Sequence, residues 1–280
     1  MLTLLLLLSA VPAGAEQSAL VVGNPTPMRG EFFTDMWGNA TSDIDVRDLL
    51  HGCNLICWDE AEGQFTADPS VVSGVKMIPE SNGDHTYRLT LCHDLYYSDG
   101  SRITARDYAF SYLFSISPVL EQLGAAPLRR EQIAGYQKYM EGNAPLAGVR
   151  VLAEDLLSVT LDHRYLPFFY EMGLLYCNPY PISVIAPGVE VRDDGQGVYL
   201  ANQDPSLAEP AFNAELLRKT ILDPETGYQS HPAVVSGPYM LTKWDGVTAE
   251  FELNSRYKGN SRGEKPSIQR LSYKIGRAHV

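Results

Sequence analysis

The side chains best suited to acid–base or metal chemistry near neutral pH are His51, His85, His93, His163 and His231. They are scattered along the chain. No H-E-x-x-H helix, G-x-S-x-G elbow or phosphate-binding glycine loop accompanies them. Each therefore reads as a surface or packing residue. Acidic pairs stand at Glu154-Asp155 and Asp193-Asp194. Both fall in turn-rich stretches, where a solvated loop is a simpler reading than the opposed carboxylates of a glycosidase. Cys53-x3-Cys57 lacks the C-x-x-C spacing of a redox or zinc pair, and Cys92-His93 has no second ligand pair, so neither a metal nor a cofactor is expected. Cys53, Cys57, Cys92 and Cys177 are equally compatible with disulfides and with buried thiols, and spacing does not choose. Binding, rather than catalysis, is the chemistry that remains.

Composition narrows the partners. The chain has 280 residues, 45% of them apolar, and a formal net charge of −12. That charge, with no Lys/Arg cluster, excludes nucleic acid as an expected partner. Met1 to Ala15 is an apolar run with a small-residue exit at Ala13-Gly14-Ala15, the pattern of a secretory signal peptide cleaved before Glu16. It is too short for a stable membrane anchor, and no Cys follows it to carry a lipid. The mature protein is expected to be soluble and extracytoplasmic, whether periplasmic, at the cell surface or secreted.

The elements that must position a binding site are best marked at Tyr96 to Tyr112. Tyr87 to Tyr97 is rich in Thr, Tyr and Leu and suits a strand. Ser98-Asp99-Gly100 is turn chemistry. Thr104 is placed as an N-cap with Asp107 in the capping-box position, opening a helix with an apolar side. Elsewhere, strands are predicted at 18–23, 55–58, 72–78, 149–153, 158–162 and 268–274. Helices are predicted at 43–50, 132–139, 165–175 (buried, with Pro167 in its first turn) and 211–222. Residues 188–210 read as loop. Val235-Ser236-Gly237-Pro238-Tyr239 leads into a hairpin around Asp245-Gly246 that closes at Asn254-Ser255-Arg256-Tyr257.

Two of these runs carry a resemblance. Tyr97-Ser98-Asp99-Gly100-Ser101-Arg102-Ile103-Thr104-Ala105-Arg106-Asp107-Tyr108 and Ser236-Gly237-Pro238-Tyr239 with its N-x-x-Y ending are similar to signatures of family 5 solute-binding proteins of ABC importers, the oligopeptide- and dipeptide-binding proteins. Arg47 to Asp59 resembles a third family stretch but departs from it at His51 and Cys53. The resemblance spans Ala19 to Lys274.

It implies a mixed α/β (α+β) fold of the periplasmic-binding-protein type II class. It also implies a division: 16–47 and 178–274 as parts of a first lobe, with 48–177 as its inserted subdomain. Trp37-Gly38-Asn39-Ala40-Thr41 would form the first-lobe wall of the ligand cleft. Ser98, Asp99, Gly100, Thr104, Asp107, Gly237, Pro238 and Tyr239 would serve as structural signature rather than ligand contacts. Peptides are the implied ligands, with nickel, haem or sugars as rarer ones. The implied partners are the importer's membrane subunits, the implied state a monomer, and the implied mechanism hinge closure around the ligand.

Family members are about twice as long, so the second lobe is expected to be missing. Ile275 to Val280 matches what a common sequencing adapter encodes and is expected to be a foreign tail on a truncated chain. A secreted hydrolase with a carboxylate site is the alternative from another class; it needs a convergent acid/base pair in a pocket. An adhesion or scaffold module would lack both signatures.

Overall fold

The structure, a computed structural model, describes residues 18–142 and 144–276. The expected signal peptide and residues 277–280 of the expected tail lie outside the described residues. The strands in chain order are β1 (Ala19–Asn24), β2 (Ile56–Asp59), β3 (Gln64–Ala67), β4 (Val72–Pro79), β5 (His85–Leu91), β6 (Val149–Ala153), β7 (Leu156–Leu161), β8 (Val189–Asp193), β9 (Val198–Asn202), β10 (Tyr239–Trp244), β11 (Thr248–Leu253) and β12 (Arg270–Ile275). The helices are α1 (Thr41–Leu50), α2 (Ala105–Ser115), α3 (Tyr136–Met140), α4 (Ile182–Ile185) and α5 (Ala214–Ile221).

Apolar side chains gather into two clusters. The smaller joins α1, through Val46 and Leu50, to a four-stranded sheet of order β1-β12-β11-β10, through Tyr239, Ala249, Phe251 and Leu271. In that sheet β1 runs parallel to β12, with Ala19 opposite Arg270 and Asn24 opposite Ile275. β1 is an edge strand, and its Leu20 and Val21 are exposed. The larger cluster lies between the sheet β4-β5-β7-β6 and α2. Residues on both sides of position 177 belong to it, including Leu161, Leu175, Ile185, Val191, Leu217 and Tyr228.

α2 is the centre of the larger cluster. Every residue from Asp107 to Ser115 is buried, so the expected apolar side is in fact nearly the whole helix. Its polar atoms are satisfied locally. The Asp107 carboxylate accepts from the Thr104 backbone N–H and hydroxyl, each at 2.8 Å, as the capping-box spacing predicts. Tyr108 donates to the Cys53 carbonyl at 2.6 Å and Tyr112 to the Leu175 carbonyl at 2.9 Å.

Two sequence expectations fail. Residues 165–175 form no buried helix: two 3-10 turns, His163–Tyr165 and Glu171–Leu175, flank an exposed Phe168-Phe169-Tyr170. The rings of this run pack on one another and, through Tyr170, on Trp58 and Phe65 of β2 and β3, instead of entering the core as one helical face. The stretch 188–210 is not all loop, because β8 and β9 pair in it from Val189–Asn202 to Asp193–Val198. Its Gly-Asp-Gln composition hid a short hairpin whose Val189, Val191 and Val198 are buried.

The two signature runs meet in space. Ser98 N–H donates to the Val235 carbonyl at 2.9 Å, and the Val235 N–H donates to Ser98 Oγ at 3.1 Å. Ser236 Oγ donates to the Gly52 carbonyl at 3.0 Å and accepts from the Gly52 N–H at 3.1 Å. The Asn254 amide donates to the Gly237 carbonyl at 2.8 Å. Gly100, with φ +92°, lies against the Arg256 guanidinium. The spaced motifs are therefore one junction, holding the larger cluster against the smaller.

Candidate ligand cleft

α1 ties down the loop that precedes it by burying polar groups. Ser42 Oγ donates to the Pro27 carbonyl at 2.9 Å, and the Asp43 carboxylate accepts the Arg29 backbone N–H at 3.0 and 3.2 Å. Burial pushes the Asp43 carboxyl up, opposed by the backbone N–H groups of Arg29 and Gly30. Arg47 is buried; its guanidinium donates to the carbonyls of Glu31 (3.1 Å) and Gly38 (2.9 Å) and to Asn39 Oδ1 (3.0 Å).

Beside this helix lies a cavity of about 320 Å³. Ile44, Arg47, Asp48 and His51 line one side, Phe33, Thr34, Asp35 and Asn39 another, and Leu128, Arg130, Tyr176, Cys177, Asn178 and Tyr180 the rest. Asn54 pins the far wall: its Oδ1 accepts the Cys177 N–H at 3.3 Å and its amide bonds Asn178. Among the described residues, none of Asp35, Arg47, Asp48 and Arg130 forms an ion pair, so four uncancelled charges face one concavity. Two cavities of about 460 Å³ lie elsewhere, on β2–β3 and across β1, β12 and β11. Their arginines, Arg262 and Arg270, are paired with Glu60 and Glu252. The smaller cavity differs from these two in that its arginines, Arg47 and Arg130, carry no ion pair among the described residues.

Of the five residues expected to form the wall, Asn39 lines this cavity. Trp37 turns inward: it stacks on Phe33 and donates Nε1–H to the Leu123 carbonyl at 3.1 Å. Gly38 packs on the Glu31 carboxylate, Ala40 is the N-cap of α1, and Thr41 is exposed at its start. Sequence reasoning passed over Arg47, Asp48, His51 and Arg130. The first three and Ile44 stand at i, i+3, i+4 and i+7, a single helical face that was readable in the sequence.

Histidines and thiols offer little reactivity. His85 Nδ1 and the Tyr87 hydroxyl share Glu171 Oε1, at 2.6 and 2.7 Å. Asp84, Asp162 and His163 converge, but Asp84 bonds His163 and Asp162 bonds Arg164. All four cysteines are free, and burial pushes the Cys53 and Cys177 thiols up to about 12.

His51 bonds the Phe32 carbonyl through Nε2 at 2.9 Å, and burial pushes its pKa down to about 4. Unfolding takes up its proton between the ordinary 6.5 and 4, so this stability drains away as pH falls through that window. Burial pushes Asp107 up to about 6, and its contribution is lost as pH rises from 3.8 toward 6. The two slopes oppose. Relative to the parent, stability between about pH 4 and 6 should therefore fall with rising pH in His51→Gln and rise with pH in Asp107→Asn, by at most about 3 kcal/mol each. Superimposable profiles for parent and variants would rule this out.

Comparisons with known proteins bear on the family and the fold. The family model described as "Bacterial extracellular solute-binding proteins, family 5 Middle" matches residues 75–279. The chain belongs to this family. It is 29% identical over 181 residues to the periplasmic oligopeptide-binding protein OppA of Escherichia coli strain K12, covering 63% of this chain and 31% of that protein. Lactococcal OppA complexed with an endogenous peptide in the closed conformation superposes with a TM-score of 0.60 at 18% identity, over 92% of this chain and 42% of that one. A periplasmic EDTA-binding protein, EppA, gives 0.58 at 14%, over 96% and 42%. These structural likenesses establish the fold. The chain thus spans about two fifths of the solved structures and a third of the curated relative. Family members act outside the cytoplasm. No helix among the described residues is long and apolar enough to cross a membrane.

Proposed function

We propose that this chain is the first lobe of a solute-binding protein that captures oligopeptides or dipeptides for an ABC importer, and that the cavity beside α1 is part of the wall on which the peptide lies. The observation that supports this most directly is the set of unpaired charges of both signs around one preformed concavity in a member of this family. A peptide with free termini is a zwitterion and needs both signs. The loop 33–39 and Asn178 add polar groups for a peptide backbone.

In this reading the opposite wall comes from a second lobe, which the resemblance places outside this chain. Its junction is the β1 edge, where Leu20 and Val21 are exposed. Closure of the two lobes around the ligand is what the importer's membrane subunits detect.

The test uses protein purified natively from its own host. Denaturation should release short peptides detectable by mass spectrometry, and a peptide mixture should raise the Tm of the emptied protein. A Tm raised by a metal chelate but not by peptides, with no peptide released, would replace this reading with the chelate ligand of the EDTA-binding relative.

A further inference from the structure

We propose that Arg130 is a carboxylate anchor in this cleft, making the site selective for peptides that present a carboxylate there. The inference rests on the peptide-cleft reading and adds the ligand group that the site selects.

The two arginines of the cavity differ in what they have left to give. The Arg47 guanidinium already serves three protein acceptors. Arg130 is held but not used up. Its Nε donates to Ser115 Oγ at 3.3 Å and one Nη1 N–H to the Tyr176 carbonyl at 3.3 Å, and the guanidinium sits over the Tyr112 ring, 4.8 Å from its centroid. Ser115 Oγ donates in turn to the Tyr112 carbonyl at 3.1 Å, which leaves its lone pairs for Arg130. Among the described residues Nη2 has no acceptor, and no carboxylate pairs with Arg130.

A guanidinium presents five N–H donors in a fixed fork that matches a carboxylate two bonds at a time. Here the fork is oriented beforehand by a hydroxyl, a carbonyl and an aromatic face. The ligand need not bear the ordering cost of a long side chain. Asp35 and Asp48 line the same cavity without pairing to it, so the cation is not cancelled. The protein as a whole carries −12 and repels anions at long range. A carboxylate therefore needs a local cation with donors to spare, and Arg130 is the one in this cavity that has them.

The carboxylate has two possible sources in a peptide, its C-terminus or an acidic side chain. The experiment titrates the full-length protein with one peptide in three forms: free acid, carboxamide, and carboxamide with an internal Glu. The carboxamide should bind about tenfold to a hundredfold more weakly than the free acid, the range expected for charged hydrogen bonds. Equal binding of the acid and the plain carboxamide, with tighter binding of the Glu-containing form, would instead identify the side chain as the source. Arg130→Gln should abolish the gap between acid and amide. Arg130→Lys, which keeps the charge but not the fork, should retain part of it and guards against misfolding of the first variant. Equal binding of all three forms to the parent, or a carboxylate-dependent gap that survives Arg130→Gln, overturns the anchor and leaves the peptide cleft standing. Failure of every peptide to bind the parent overturns both.

Discussion

Gly237→Ala is expected to lower folding stability by about 3–5 kcal/mol, a large share of what holds an ordinary domain together. A Cβ at this position would lie 2.5 Å from the Leu50 carbonyl carbon and 2.6 Å from the oxygens of Leu49 and Leu50. These are backbone atoms at the end of α1, not the tip of a side chain that can swing away. Nor can Gly237 retreat cheaply. Its N–H donates to the Leu50 carbonyl at 2.8 Å, and its own carbonyl accepts from Asn254 at 2.8 Å. Gly52 presses from the other side, since a Cβ there would meet Gly237 Cα at 3.1 Å. Gly246→Ala separates this clash from a general glycine effect. That residue has open space around it but φ +88°, so strain alone costs about 1–2 kcal/mol. Urea denaturation of both variants decides the matter. A Gly237→Ala protein no less stable than Gly246→Ala would mean that the close approach can relax.

The same junction explains what the sequence disclosed. Ser98, Gly100, Ser236, Gly237 and Asn254 are held by backbone bonds and close approaches that tolerate few residue types, so their spacing survives as a recognisable pattern. Thr104 and Asp107 were legible for a similar reason, because a cap is a local bargain between residues three apart. The failures were non-local. Phe168 and Phe169 look like core residues in any hydrophobicity window, yet both are exposed and pack edge-on against Tyr170. Val189, Val191 and Val198 sit among polar residues, and their burial depends on neighbours such as Leu146, whose N–H and carbonyl bond Val198.

The cleft was half legible. Loop 37–41 was placed beside it from resemblance, but Trp37 faces the interior and Asn39 alone of the five lines the cavity. The charged lining could not be assembled from sequence, because Asp35, Asp48 and Arg130 come from separate segments that only the folded junction brings around one space. Nothing in the sequence separates Arg47 from the other charges of α1, Asp43, Asp45 and Asp48.

Arg47→Met is expected to cost about 3–4 kcal/mol, because removing a buried cation strands the groups it had served. The carbonyls of Glu31 and Gly38 and the Asn39 amide oxygen would each lose their donor, and Asp43 would lose a nearby positive charge. The methionine chain fills much of the same volume, so the loss reports hydrogen bonding and charge more than a cavity. Arg47→Lys should fall between parent and Arg47→Met, since one ammonium cannot reach three acceptors arranged around a planar fork. The damage should be local first. With the 31–39 loop released, Trp37 loses its stacking on Phe33 and its bond to Leu123, and its fluorescence should shift to the red below the main unfolding transition. Denaturant titration followed by both fluorescence and far-ultraviolet circular dichroism tests this. A variant within 1 kcal/mol of the parent, with coincident transitions, would mean that water replaces the guanidinium at little cost and that α1 does not hold the cleft loop in place.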